Sequence, residues 1–390
     1  MELALKHFFL LDPNVIFLNH GSFGACPRPV FEAYQTWQIK LESQPVQFFG
    51  RDYAGYDRHA RQVLGSELQV DPGNLVYIPN ATYGVNVVAH SLSDHLDSPL
   101  REGDEILTTD HEYGACDHTW EYACQKTGAK YIRQPIPLPI ESPEEIIECF
   151  WQGVTPRARL IYLSHITSPT ALRLPVEAIC QRARQQGLLT VVDGAHAPGQ
   201  IPLDLRAVGA DFYTGNCHKW MMAPKGAAFL YARPEVQPLI EPLVVGWGWN
   251  SDPSKIRVSK FFDYLQWTGT RDPAAALSVP AAIQFAHEHH WEAVRQECHE
   301  LLQQTIQRIC ELTRQHPLYP LDSDLYRQMG IAPLPPEADL ETWHRRLYSD
   351  FHIEIPVIEW NGKKFLRISV QGYNTPADLD ALVGAVNALL

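Results

Sequence analysis

The feature that most constrains the fold is a regular alternation of short and long segments between about residues 75 and 232. Short runs rich in β-branched and aromatic residues are separated by longer stretches with helical spacing. This alternation predicts a largely parallel sheet with helices on both faces, which is an α/β domain. The predicted strands are Leu75–Ile78, Glu105–Thr109, Lys130–Arg133, Leu160–Ser164, Leu189–Asp193, Asp211–Thr214 and Ala227–Tyr231. Helices are predicted near 84–97, 114–128, 143–152 and 175–187.

The last third of the chain has a different pattern. Apolar residues recur at helical spacing from Trp291, and a second helix is predicted near 338–350. Two strands, Glu354–Ile358 and Phe365–Val370, precede a final helix with Thr375 as N-cap and Pro376 at its first position. This order predicts a small α+β domain. We expect a large domain at 20–270 and a small domain made of 1–19 and 271–390.

Composition and charge narrow the functional class. The 32 Lys and Arg and 45 Asp and Glu residues give a formal charge of −13, which disfavours a nucleic-acid partner. No run approaches the roughly 18 apolar residues of a membrane span, and the first residues do not resemble a signal peptide. The eight cysteines are scattered without a C-x-x-C pair, as is typical of a reducing compartment. We therefore expect a cytoplasmic protein that does not contact membranes.

Two segments carry the residues of a catalytic site. Asp193 ends an apolar β-branched run, and ligands of open α/β sheets bind beyond the carboxyl ends of the strands. Lys219 follows the next predicted strand, 26 residues later, with Thr214, Asn216 and His218 close to it. A carboxylate facing a pyridine nitrogen, and a lysine that forms an imine with an aldehyde, are what pyridoxal 5'-phosphate (PLP) requires. These residue types suit PLP as cofactor with Lys219 as the catalytic residue, and the motifs around them carry the assignment.

The motifs Asp-Gly-Ala-His (193–196), Gly-Asn-Cys-His-Lys-Trp (215–220) and Pro-Lys-Gly (224–226) resemble the class V aminotransferase family of fold type I PLP enzymes. The similarity is strongest to its isopenicillin N epimerase-like branch, and it extends from Asn-His-Gly-Ser at 19–22 to residues 367–375. The resemblance implies a large domain with a mainly parallel seven-stranded sheet flanked by helices, plus a small C-terminal α+β domain. It also implies a homodimer with shared active sites.

The resemblance assigns cofactor contacts. Ala81 and Thr82 begin a helix whose N–H groups attract the phosphate, with Asn216 and His218 as further contacts. Thr270 corresponds to a threonine that relatives contribute from the neighbouring subunit.

Four further roles are implied by the same resemblance. Tyr113 is expected to stack on the exposed ring face, and His196 to contact the phenolic oxygen. Arg367 is expected to bind the substrate α-carboxylate, a task suited to a bidentate guanidinium. His20 and His165 are expected near the substrate.

The outcome of the reaction stays open at this point. Epimerase-like chemistry at the α-carbon of an amino acid is the nearest label. A β-eliminating C–S lyase and an aminotransferase are the alternatives. A non-catalytic PLP-binding regulator is a remote one, since we expect no room for its DNA-binding domain. A cysteine desulfurase is disfavoured because no cysteine follows Cys310.

Two motifs stay outside this scheme. The His-Glu-His-His run at 287–290 is interpreted as a solvated helix face, because adjacent histidines on a helix point apart, and no metal site is predicted. The Gly-Trp-Gly-Trp run at 246–249 fits either a pocket wall or ordinary packing.

Overall fold

The computed structural model describes residues 5–94, 100–250 and 252–390. Its strands, in chain order, are β1 (Ile16–Phe17), β2 (Leu75–Ile78), β3 (Glu105–Thr109), β4 (Lys130–Gln134), β5 (Ala158–Ser164), β6 (Leu189–Asp193), β7 (Phe212–Asn216), β8 (Ala228–Ala232), β9 (Met329–Pro333), β10 (Ile353–Glu354), β11 (Val357–Trp360) and β12 (Lys363–Ser369). The predicted strands of the large domain are confirmed, with bounds shifted by at most two residues.

Seven of these strands form one sheet in the order β2-β8-β7-β6-β5-β3-β4. The pairs from β7 through β4 are parallel, and β8 is antiparallel to both β7 and β2. Neighbouring residues of a strand pack into different cores, as with Val191 and Val192 on the two faces of β6. Both faces are therefore covered, as the alternating pattern predicts.

The helices of seven residues or more in the described segments are Arg28–Ser43, Tyr53–Glu67, Ala81–Asp94, Gly114–Thr127, Pro143–Trp151, Val176–Gln185, Lys260–Gln266, Val279–Glu288, Trp291–Thr313, Leu340–Ser349 and Pro376–Leu389. The helix predicted at 84–97 begins three residues earlier, and 95–97 lie outside the described residues. Asn80 explains the earlier start, because its Oδ1 accepts the Tyr83 N–H at 2.8 Å as an N-cap does. None of the described helices is long and apolar enough to span a membrane.

A second sheet of three antiparallel strands, in the order β11-β12-β9, lies in the last third of the chain. Strand β9 was not predicted, because Gly330 and Pro333 weaken the strand signal of this short run. The prediction of one continuous strand at Glu354–Ile358 is wrong. The segment forms two strands, β10 and β11, separated by Ile355 and Pro356, since proline has no N–H for a hydrogen bond between strands.

The N-terminal segment joins this region. Strand β1 pairs in parallel with β10, Ile16 opposite Ile353. The segment then turns at Gly24, whose φ is +72° and where a Cβ would lie 2.2 Å from the His218 carbonyl oxygen. Glycine is required there because the backbone conformation and the close approach both exclude a side chain. These contacts support our proposal that residues 1–19 belong with 271–390 and that the large domain spans 20–270.

Candidate active site

A cavity of about 500 Å³ lies beyond the carboxyl ends of β5, β6 and β7. Most of the predicted site residues line it: Ala81, Thr82, Tyr113, Asp193, His196, Asn216, His218, Lys219 and Arg367. They come from separate parts of the chain because parallel strands end at the same edge of the sheet.

Asp193 is the last residue of β6 and is 3% exposed. Its Oδ1 accepts the Ala195 N–H at 2.9 Å. Its Oδ2 accepts the Tyr162 hydroxyl at 3.4 Å and the Cys116 thiol at 3.5 Å. Burial raises the pKa of the Asp193 carboxyl, and the Ala195 N–H, Lys219 and these donors oppose the rise. A buried carboxylate with this support is suited to a protonated ring nitrogen.

Lys219 lies in the turn after β7, with its Nζ 3.2 Å from His196 Nε2. Burial lowers the pKa of the Lys219 amine to about 8, although Asp193 acts in the opposite direction. The Trp220 indole N–H donates to His196 Nδ1 at 3.3 Å, so the neutral imidazole carries its hydrogen on Nε2. That hydrogen points at Nζ, a contact that suits a neutral amine with a free electron pair.

The helix Ala81–Asp94 begins at the cavity, so its N-terminus faces the site. The Ala81 N–H donates to Asn216 Oδ1 at 2.8 Å, and Thr82 lines the cavity beside it. No hydrogen-bond partner for the Thr82 N–H or hydroxyl occurs within the described segments. His218 holds the Ala227 carbonyl through Nδ1 at 3.1 Å, which leaves Nε2 available, and burial lowers the pKa of this imidazole to about 4. The helix approaches β7 closely because Gly84 has no Cβ, which would lie 2.4 Å from Thr214 Oγ1.

Arg367, on β12, is 6% exposed and closes the opposite side of the cavity. Its Nη1 donates to the Ser168 carbonyl at 2.6 Å and to Ser168 Oγ at 3.2 Å, and its Nη2 donates to Ser22 Oγ at 3.0 Å. Its buried Nε has no partner among the described residues. Burial lowers the pKa of the guanidinium to about 10, and no carboxylate counteracts this effect. The cation is therefore held by neutral oxygens and is available for an anionic ligand.

Three predicted residues do not line the cavity. His20 is fully buried, with Nδ1 3.0 Å from the Tyr373 hydroxyl and Nε2 3.1 Å from the Lys219 carbonyl. His165 is also fully buried, and its Nδ1 is 3.0 Å from the Tyr213 hydroxyl. Burial lowers the pKa of both imidazoles to about 3. In this chain they support the walls of the site, and a substrate contact stays a prediction.

Thr270, the third of them, lies at another surface cavity together with Arg271 and Asp272. That placement leaves its cofactor role a prediction that needs a second copy of the chain. Tyr113 does line the site, is 48% exposed and stands immediately before the helix Gly114–Thr127. The Gly-Trp-Gly-Trp run does not line it, and Trp247 is 93% exposed.

Several residues of the site were not predicted from the sequence. Gly21, Ser22 and Phe23 line it from the N-terminal segment. Ser164 lines it from the end of β5, and Ile166, Ser168 and Ala195 line it from the loops after β5 and β6. The buried carboxyl of Glu112 accepts the Ser164 N–H at 2.8 Å and the Ser164 hydroxyl at 2.6 Å. Burial raises the pKa of Glu112 to about 8. A carboxylate directly before Tyr113 was the one available signal for it.

The residues present fit PLP. Asp193 would hold the ring nitrogen, Lys219 the aldehyde carbon, and the helix N-terminus at Ala81 and Thr82 the phosphate. Two further features are typical of a site that binds a charged ligand. The Arg367 Nε has no hydrogen-bond partner among the described residues, and the pKa of Lys219 is lowered. Within the described segments no group of three or more His, Cys, Asp or Glu side chains could hold a metal ion. In the run at 287–290, His287 Nε2 contacts Glu67 at 3.0 Å.

Comparison with known proteins identifies the family of the chain. The model of the family described as Aminotransferase class-V matches residues 26–322. The chain is 36% identical to isopenicillin N epimerase from Amycolatopsis lactamdurans over 389 residues, which cover 97% of this chain and 96% of the relative. It is 28% identical to L-cysteine desulfhydrase from Arabidopsis thaliana over 300 residues, 71% of this chain and 64% of that protein. A solved structure of a C-DES variant, with glycine covalently linked to its PLP cofactor, matches with a TM-score of 0.83 at 21% identity and covers 99% of both chains.

A mainly parallel seven-stranded sheet, with an aspartate, a lysine and a helix N-terminus meeting at its carboxyl edge, defines a fold type I PLP-dependent enzyme. The chain belongs to the class V aminotransferase family. The predicted family, the predicted fold class and the prediction of a PLP-dependent enzyme are confirmed.

Proposed function

We propose that the protein acts at the α-carbon of an amino-acid substrate and inverts its configuration, as an epimerase-like enzyme. The observation that carries the proposal is the presence of Lys219 and Arg367 in one buried cavity with Asp193. When bound, PLP supplies an electron sink for a carbanion at the α-carbon. The roles below are those of the chain's own residues.

Lys219 is the group that moves the proton. A pKa of about 8 leaves about a tenth of this amine neutral near pH 7, so it can accept the α-proton from the face of the substrate that it meets. Inversion then requires that a second donor deliver a proton to the opposite face of the α-carbon. The hydrogen on His196 Nε2 points at its Nζ and orients the electron pair of the amine.

Arg367 orients the substrate. Its buried guanidinium has three hydrogen bonds to serine oxygens and no carboxylate partner, so an incoming α-carboxylate gains a charge-assisted contact. Fixing the carboxylate and the amino group together determines which substituent of the α-carbon faces Lys219.

The epimerase-like label is supported by 36% identity over nearly the whole of both chains. Elimination at the β-carbon, to release a sulfur-containing group, is the second candidate, supported by identity to an L-cysteine desulfhydrase. Transamination stays a third possibility on the same residues, and non-catalytic PLP binding a remote one. A persulfide-forming desulfurase has less support, because no cysteine lines the cavity within the part of the chain that the structure describes.

We further propose a cytoplasmic homodimer in which Thr270 serves the partner's site. Within its own subunit Thr270 does not line the active-site cavity. Phe49 lines both the surface cavity at Thr270 and a neighbouring one, where Trp247 and Val258 are 93% and 66% exposed. Exposed apolar area of this kind marks protein–protein contacts. A monomer with full PLP occupancy in gel filtration would contradict the shared site.

The reaction is tested with purified holoenzyme and a panel of L- and D-amino acids in D2O. Epimerisation predicts deuterium at the α-carbon together with inverted configuration, read by NMR and chiral chromatography. Elimination predicts pyruvate and a released thiol or sulfide, and transamination predicts a 2-oxo acid. Lys219→Ala should abolish all exchange, whereas Lys126→Ala, a change in the last turn of the helix Gly114–Thr127 and outside the cavity lining, should not. Pyruvate formation without inversion would replace the epimerase-like proposal by the lyase.

A further inference from the structure

The support of Asp193 is unusual in its chemistry. One oxygen, Oδ2, is approached by two neutral donors, the Cys116 thiol at 3.5 Å and the Tyr162 hydroxyl at 3.4 Å. Cys116 and Tyr162 are fully buried, and neither lines the cavity. They therefore act on the side of the carboxylate that faces away from a ligand.

The fold explains why these two groups meet. Tyr162 lies on β5 next to β6, where Ser164 is paired with Asp193. Cys116 lies in the first turn of the helix Gly114–Thr127, and Trp120 one turn later packs on the Tyr162 ring with a centroid distance of 5.5 Å. The aromatic contact fixes the helix over β5, so the thiol and the hydroxyl reach the same oxygen.

From this geometry we infer that Cys116 and Tyr162 are positioning residues that hold the buried Asp193 carboxylate in its charged form and fix the direction in which it faces the cofactor ring. A carboxylate 3% exposed has lost most of its hydration, and hydrogen bonds to the charged form replace it. The inference rests on the proposed contact between Asp193 and the ring nitrogen. It adds a role for two residues that no part of the proposed reaction assigns.

Other titratable groups surround Asp193 and must be considered. Lys219 favours the charged carboxylate and, with a pKa of about 8, is itself mostly protonated below that pH. Glu112 and Tyr213 face the same region from the loop after β3 and from β7. None of these groups donates to Oδ2 within the described residues, so the two neutral donors supply its direct support.

The test measures PLP binding to apoprotein against pH, by fluorescence quenching and by the absorbance of the bound cofactor. As the pH falls, Asp193 takes up a proton and the affinity for PLP decreases. This decrease at low pH is the acid limb of the binding profile. Loss of a donor destabilises the charged carboxylate, so Tyr162→Phe and Cys116→Ala should move this acid limb upward by roughly half a pH unit or more. They should weaken PLP binding about threefold or more at pH 6 and less at pH 8. The titration of free PLP is common to all variants and cancels in the comparison.

The matched variants separate the inference from its alternatives. Cys116→Ser keeps a donor and should restore the acid limb to the wild-type position or below it. Cys180→Ala removes a buried thiol that neither lines the cavity nor donates to Asp193, and it should leave the limb unchanged. Asp193→Asn should abolish the acid limb; if the limb persists there, the proposed contact between Asp193 and the ring is wrong. If Asp193→Asn removes it while Tyr162→Phe and Cys116→Ala leave it in place, the donors do not hold the charge and the present inference is overturned.

Discussion

Among the described residues, Arg367 is the only one that brings a guanidinium to the active-site cavity, and replacing it by alanine removes that group. Its side chain is 6% exposed, its two terminal nitrogens are held by serine oxygens, and its Nε has no partner in the described part of the chain. Loss of one partner of a buried charged pair costs on the order of 2–5 kcal/mol. At about 1.4 kcal/mol per decade, the lower limit corresponds to roughly thirtyfold weaker binding of an amino acid.

The measurement is the dissociation constant of a non-reacting α-methyl amino acid, followed by the absorbance of the bound cofactor. The same titration with the corresponding amine, which lacks the carboxylate, is the matched control. Arg367→Ala should weaken the binding of the amino acid about thirtyfold or more and the binding of the amine less than about threefold. Equal losses for both ligands would show that Arg367 only shapes the cavity. Unchanged affinity for the amino acid would refute the carboxylate contact.

Two milder variants should weaken the binding of the amino acid by intermediate amounts. Arg367→Lys keeps the charge but cannot reach Ser22 and Ser168 at once, because it lacks the planar fork. Ser22→Ala keeps the guanidinium and removes one of its anchors. Both should fall between wild type and Arg367→Ala, and Ser22→Ala should affect the amino acid more than the amine. The PLP content of all three should equal that of wild type.

Three other predictions follow from the same site. Borohydride reduction of the holoenzyme should attach the cofactor to the peptide that contains Lys219, and a tag on Lys225 would contradict the assignment. Asp193→Asn should keep part of the PLP, because the phosphate site is separate, yet reduce turnover at least a hundredfold; near-normal turnover would mean that another group protonates the ring. His20 and His165 have folded pKa values of about 3, so below about pH 6.5 the unfolded chain binds protons that the folded chain does not, and stability is lost as the pH falls from 6.5 towards 3. Urea unfolding of the apoprotein should show this loss as up to about 1.4 kcal/mol per pH unit for each histidine, and a flat profile between pH 7 and 5 would contradict it.

The large sheet was predictable because its strands are short, apolar and separated by helical spacing. Asp193 and Lys219 were predictable for a related reason: each follows a strand, and parallel strands converge at one edge. The strand prediction failed where a strand contains glycine or proline. β9 contains a glycine and a proline, and Pro356 divides the strand expected at Glu354–Ile358.

The support of the site was not predictable from local patterns. Ser22 contacts Arg367 across 345 residues, and a serine in a loop has no periodicity that would indicate such a contact. Cys116 is one of eight cysteines, and the residues next to it in the sequence do not indicate that its thiol donates to Asp193. The positions of His20 and His165 also depended on tertiary packing, which places their rings behind the cavity wall.

The pairing of β1 with β10 has a consequence for biosynthesis. A chain that leaves the ribosome from its N-terminus presents Ile16 and Phe17 long before Ile353 and Glu354 exist, so this strand has no partner during most of translation. The segment that turns at Gly24 also lacks the Arg367 contact of Ser22 until the last part of the chain emerges. Contacts of such high sequence separation form late and slowly. A nascent chain stalled before residue 353 should therefore contain a folded central sheet with an open, protease-sensitive N-terminal segment, and the active site should close in a single late event.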